Sequence, residues 1–256
     1  MLSLETAQLL ALGLLAGVFG GALGLGGGFL LVPVFHTVFG WPLIQSVAVS
    51  QCCILASSLS ATRQYLVRDL VDLRLGVLMG STTIIGAAVG AAVAARLPGG
   101  LLLILFTLIT LYAGIRMWRR AAAQRNDQEA VTRHRSRMGI AVSYSGLVGF
   151  AAATLGIGGG VLQVPIMHTY LGESIRRATA TSAFIIGLTA STSAAIYYRQ
   201  DVLVLEKAVI VALGVLVGAY IGAANQHRIP TVALRRAMAV VLFAVTLRMA
   251  LRIFGW

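Results

Sequence analysis

Two glycine-rich runs have the residue types and spacing of a candidate anion-binding site. Gly24-x-Gly26-Gly27-Gly28 is followed five residues later by Pro33, and Gly156-x-Gly158-Gly159-Gly160 is followed by Pro165 at the same spacing. Consecutive glycines are poor helix formers, so each run predicts a break between two helices. The helix that begins after such a break presents unpaired N–H groups and the positive end of its dipole, which together bind anions. Close helix packing is the alternative explanation for such glycines.

The two runs belong to an internal repeat with an offset of 132 residues. Roughly thirty of about 110 paired positions are identical, far more than chance gives. We predict a first repeat over 1–118, a basic linker over 119–138 and a second repeat over 139–256. The glycine pairs 86/218 and 90/222 also match, and for these four we expect helix packing to be the role.

The composition indicates an integral membrane protein. Of 256 residues, 58% are hydrophobic and only 11% are charged, and the mean hydropathy is +0.89. A soluble domain needs more charge than this to cover its surface. The net charge of +12 is carried mostly by arginines near the ends of apolar segments, which indicates membrane orientation and not nucleic-acid binding.

Apolar segments in matching places predict an all-α membrane protein. They fall near 7–23, 28–40, 43–62, 74–95 and 99–118, and near 139–155, 160–172, 178–198, 208–227 and 231–251. The first two segments of each half are short, so each pair forms either a re-entrant hairpin or two tilted spans. Three full spans follow in each half, and an odd number predicts that the repeats have inverted topology.

Arginines in the connecting segments set the predicted orientation. The 119–138 linker holds six arginines, so we expect it on the cytoplasmic side of a bacterial-type plasma membrane. The 63–74 loop then lies inside and its repeat partner at 199–207 outside. The 172–177 loop lies inside and its partner at 40–43 outside. The inner loop of each pair is the more basic, as opposite insertion requires.

The remaining polar side chains favour an anionic substrate. All eight carboxylates fall at segment edges or in loops, whereas cation pumps usually bury one in a span. Hydroxyls and amides are available as donors within the spans. We predict that the substrate site contains the eight glycines of the two runs together with Ser50, Gln51 and Ser182. The matched histidines His36 and His168 titrate near neutral pH and are candidates for proton coupling, with an interfacial role as the alternative.

The paired Gly-Leu-Gly-Gly-Gly and Gly-Ile-Gly-Gly-Gly runs, each followed by Val-Pro, resemble the TauE/SafE sulfite-exporter family. The resemblance extends over nearly the whole chain in both halves. It implies a multi-pass transporter of sulfite, organosulfonates or related small anions, often an exporter. An anion channel of the same fold stays open as an alternative.

An enzyme acting on a lipid or thiol is not favoured, because the four histidines are scattered and no metal-ligand spacing is present. We therefore expect neither a cofactor nor a metal site. The expected partners are the small anion and the lipid bilayer, and the small-residue stripes also permit a homodimer.

Overall fold

The structure is a computed structural model that describes residues 4–122, 138–225 and 231–253. Every regular element in these ranges is a helix. In chain order the ten helices are α1 (Leu4–Leu23), α2 (Gly28–Thr37), α3 (Leu43–Val67), α4 (Leu73–Ala94), α5 (Gly99–Ala122), α6 (Met138–Leu155), α7 (Gly160–Leu171), α8 (Ile175–Arg199), α9 (Leu205–Ala224) and α10 (Thr231–Ile253). The all-α membrane fold is confirmed.

Helix lengths refine the predicted hairpins. Seven of the helices in the described ranges are long and apolar enough to cross a membrane, and they include α1 with 20 residues and α6 with 18. The expectation that both members of each hairpin are short is therefore wrong for the first member. The second members, α2 and α7, have 10 and 12 residues, which is a rise of about 15–18 Å and less than a bilayer core.

The two repeats interlock. Helix α1 packs along α9, and its repeat partner α6 packs along α4 in the same way. Helices α3 and α8 cross each other, and α5 packs on α10. Each repeat therefore buries its apolar surface against the other, so neither is an independent folding unit. Helix α5 extends through Ala122 into the predicted linker, whose residues 123–137 lie outside the described part of the chain.

Glycines allow the interlocked helices to approach closely. A side chain at Gly86 or Gly90 would overlap the backbone of α6, and one at Gly218 or Gly222 would overlap the backbone of α1. Each Cα therefore lies against a neighbouring main chain, as small residues permit in membranes. The packing role predicted for these four glycines is confirmed.

Helices α3 and α8 run in opposite directions. The N–H of Asp72, just beyond the end of α3, donates to Oγ1 of Thr181 near the start of α8 at 3.0 Å. Ile54 and Ile186, which are equivalent in the repeat, pack together where the helices cross. Each is the twelfth of 25 residues in its helix, so the crossing lies at mid-length. Opposite directions are what inverted repeats require, and the insertion of the repeats into the bilayer stays a prediction.

Candidate functional site

The two glycine turns lie together at the crossing of α3 and α8. A Cβ atom placed on Gly26 would be 2.9 Å from Cγ2 of Ile54 and 3.3 Å from Cγ2 of Ile186. One placed on Gly158 would be 2.7 Å from the carbonyl oxygen of Leu25, in the other turn. Breaks that are 132 residues apart in sequence therefore face each other at the middle of the long helices.

Each turn reverses the chain through backbone conformations that favour glycine. Gly27, the residue that caps α2, has φ 77°, and Gly159 before α7 has φ 69°. An L-residue with a side chain is strained at these angles. The same left-handed region holds the first two glycines of each run, whereas Gly28 and Gly160 begin the helices. All eight glycines of the two runs are buried.

The short helices begin with N–H groups that the protein leaves unpaired. Gly27 accepts from the N–H groups of Leu30 and Leu31, and Gly159 accepts from the equivalent pair in α7. Within the described ranges, no hydrogen bond is formed by the N–H groups of residues 28–29 or 160–161. Two sets of helix N-terminal donors therefore converge on one buried region, where unpaired polar groups are costly.

The turns are closed on each other in this conformation. A side chain on Gly28 would overlap the carbonyl of Gly156, and one on Gly160 would overlap the carbonyl of Gly24. A cleft of about 160 Å³ lies beside the first turn, and it holds no space wide enough for a water molecule. Its lining includes Gly24, Gly26, Ser58 and Ile186. The region is therefore occluded and has to open before an anion can enter.

The predicted polar residues lie around the turns with different partners. Ser50 Oγ donates to the carbonyl of Gly156 at 2.8 Å. Gln51 Nε2 donates to the carbonyls of Ala152 and Ala153 at 2.9 and 3.3 Å, and its Oε1 is buried with no partner in the described chain. Ser182 Oγ is likewise buried without a partner there. Ser50 and Gln51 thus join α3 to the second turn, where α6 ends.

The histidines lie farther from the turns. Nδ1 of His36 is 2.8 Å from the carbonyl oxygen of Trp41, and Nδ1 of His168 is 2.8 Å from that of Glu173. A carbonyl oxygen only accepts, so the ring N–H donates in both pairs. Each histidine ties the end of a short helix to the loop that precedes the next helix. Eight residues separate Gly28 from His36, which is a rise of about 12 Å.

Two tyrosines position the turns, and the sequence did not identify this role. Tyr65 and Tyr197 occupy matching positions in the two repeats, and both are fully buried. Tyr65 Oη donates to the carbonyl of Gly21 at 2.6 Å, and Tyr197 Oη donates to that of Ala153 at 2.9 Å. These carbonyls belong to the last turns of α1 and α6, where the helix itself supplies no donor. The exact match of both tyrosines across the repeat was the available signal.

Comparison with known proteins identifies the family. The model described as "Sulfite exporter TauE/SafE" matches residues 9–249. The chain is 26% identical over 259 residues to the "Probable membrane transporter protein YunE" of Bacillus subtilis (strain 168), covering 93% of this chain and 94% of that protein. It is 24% identical over 232 residues to the "Probable membrane transporter protein YdhB" of the same organism, covering 88% and 91%.

No solved structure gives a significant match to this chain. The family model extends from the second turn of α1 nearly to the end of α10, so it contains both glycine turns and all five helices of each repeat. The glycine turns, the paired repeats and the all-helical membrane fold agree with that match. The chain belongs to the TauE/SafE sulfite exporter family of membrane transporters.

Proposed function

We propose that the protein is a secondary transporter of a small oxyanion, with sulfite or an organosulfonate as the substrate and export as its direction. The observation that carries this proposal is the meeting of two helix N-termini, α2 and α7, at the middle of the long helices with their N–H groups unpaired. Such donors stabilise an anion through hydrogen bonds and through the helix dipole. In the centre of a bilayer, where water is scarce, an anion is the partner that best satisfies them.

Transport in this proposal follows alternating access. The Gly28–Gly156 and Gly24–Gly160 contacts close the site, so the anion enters when the repeats move apart toward one side of the membrane. Motion toward the other side then releases it. Gradients of the substrate or of a coupling ion drive the cycle, because the sequence contains no phosphate-binding loop for ATP.

The contacts of the predicted site residues indicate two kinds of role, namely binding the anion and holding the turns in place. The eight turn glycines allow the backbone N–H groups to approach the anion, and Ser182 supplies a side-chain donor. Ser50 and Gln51 hold the second turn, and the free Oε1 of Gln51 is available to a protonated oxygen of the substrate. His36 and His168 are the proposed proton-coupling sites. Each donates through Nδ1 to a backbone carbonyl in this conformation.

The proposed setting is the plasma membrane with the 119–138 linker in the cytoplasm. The lipid bilayer and the small anion are the partners, and a homodimer is compatible with the exposed apolar surface. Among the described residues, no group of three or more side chains could hold a metal ion. Catalysis is not part of the proposal, because the site offers backbone donors and neutral side chains.

The test is sulfite flux into or out of proteoliposomes that contain the purified protein. Leucine at Gly27 or at Gly159 introduces a side chain at positive φ, and at Gly27 its Cβ would lie 2.8 Å from the carbonyl oxygen of Ala16. We expect each variant to lose flux. The matched control is Gly100→Leu, because nothing lies within 4 Å of a Cβ at that position.

A binding measurement complements the flux measurement. A thermal-shift titration of the wild type with sulfite and sulfonates reports binding directly, since a true ligand raises the melting temperature with dose. Folded Gly27→Leu or Gly159→Leu protein that transports at the wild-type rate would contradict the proposal. Single-channel conductance would favour the channel alternative.

The proposed proton-coupling role of His36 and His168 has its own test. Replacing both histidines by glutamine should abolish the response of sulfite flux to a pH gradient.

A further inference from the structure

Two serines that are equivalent in the repeat have different hydrogen bonds. Ser50 and Ser182 are both 0% exposed. Ser50 Oγ donates across the repeats to the carbonyl of Gly156. The equivalent bond would join Ser182 to Gly24, yet Ser182 Oγ has no partner in the described chain. The site is therefore chemically asymmetric although its two halves share the same motif.

Ser182 faces the contact between the two glycine turns. Thr179, Ser182 and Ile186 are spaced by three and four residues, which places them on one face of α8. The methyl group of Thr179 lies against Gly24, and the side chain of Ile186 lies against Gly26 and Gly160. Ser182 lies between these two residues on the face of α8 that packs on the glycine turns.

A buried hydroxyl without a partner is costly, and most such groups in proteins bind something. The N–H groups at the starts of α2 and α7 are donors and cannot accept the serine proton. An oxyanion supplies several acceptors for this proton. We propose that Ser182, and not Ser50, donates the side-chain hydrogen bond to the transported oxyanion, whereas Ser50 holds the second turn against α3. This assignment rests on the function proposed above.

The first test measures sulfite binding by thermal shift or calorimetry in Ser182→Ala, in Ser182→Thr and in the control Ser191→Ala. Ser182→Ala should weaken binding by about tenfold or more, since a hydrogen bond to a charged group is worth about 1.5–3 kcal/mol. Ser182→Thr retains the hydroxyl and should restore binding. The matched control is Ser191→Ala in the same helix, because the exposed Ser191 bonds to its own helix at Leu188.

The second test needs no ligand. Ser50→Ala leaves the buried carbonyl of Gly156 without its donor and should lower the melting temperature by several degrees. Ser182→Ala removes an unpaired hydroxyl and should leave the melting temperature unchanged or raise it. If Ser182→Ala is the less stable of the two variants, the assignment is overturned whatever the substrate is.

The outcomes separate this assignment from the proposed function. A wild type that binds none of the anions contradicts the proposed function, and the role of Ser182 fails with it. A wild type that binds sulfite, together with a Ser182→Ala variant that binds it equally well, overturns the assignment alone.

Discussion

At the residue scale, the sequence identified the residues that form the two glycine turns but not the contacts that the side chains around them make. The glycine runs were recognisable because three consecutive glycines are poor helix formers and predict a break in a span. Ser50 and Ser182 were paired correctly, yet only coordinates distinguish a hydroxyl that is bonded from one that is not. The role of the two tyrosines could not be predicted, because their burial and hydrogen bonding depend on how the other helices pack around them.

The tyrosines provide a prediction at this scale. Replacing Tyr65 or Tyr197 by phenylalanine keeps the ring packed and removes the hydroxyl that donates to Gly21 or Ala153. Each buried carbonyl then lacks that donor, which costs about 1–3 kcal/mol. We expect each variant to melt at a lower temperature and to transport more slowly, because the turn it holds becomes less ordered. Tyr198→Phe is the control, since Tyr198 is 59% exposed. Melting curves equal to the wild type would show that the hydroxyls are dispensable.

At the element scale, helix existence and order were predictable from apolar length, and the partners of each helix were not. The predicted segments agree with the ten helices to within a few residues at most boundaries. The pairing of α1 with α9 and of α4 with α6 crosses the repeats, and no local pattern encodes it. The glycines at these interfaces gave the available signal, because close approach of two backbones leaves no room for side chains.

The α1–α9 interface provides the second prediction. Isoleucine at Gly218 would drive a branched side chain into the backbone of α1 at Leu14. Overpacking of this kind costs about 1–3 kcal/mol or more, so the helices have to separate. We expect an early melting transition and a broadened size-exclusion profile in detergent. Gly139→Ile is the control, because nothing lies within 4 Å of a Cβ at Gly139. A well-folded Gly218→Ile protein would contradict the packing described for α1 and α9.

At the scale of the whole molecule, exposed arginines concentrate at one end. The bond between Asp72 and Thr181 brings the 63–74 and 172–177 loops together, and α5 returns to the same end after α4 leaves it. Seven exposed arginines of the described chain lie there, namely Arg63, Arg68, Arg74, Arg119, Arg176, Arg177 and Arg236, together with the exposed Asp69. The opposite end holds Arg96, Arg199, Lys207 and Arg248, balanced in part by Asp201 and Glu206. Loops that the sequence assigned to one side of the membrane therefore lie at one end of the structure.

This distribution predicts which end faces the cytoplasm. Basic loops stay on the cytoplasmic side, so the arginine-rich end should be inside. In a background in which Cys52 and Cys53 are replaced by alanine, cysteine is introduced singly at Arg74, Arg177 and Asp201. An impermeant thiol reagent added to intact cells should label position 201 and leave positions 74 and 177 unlabelled until the membrane is opened. The reverse labelling pattern would overturn this orientation, and the arginine-rich end would then face the outside of the cell. Labelling of positions 74 and 177 from opposite sides would contradict the fold itself, since the fold holds these two loops side by side.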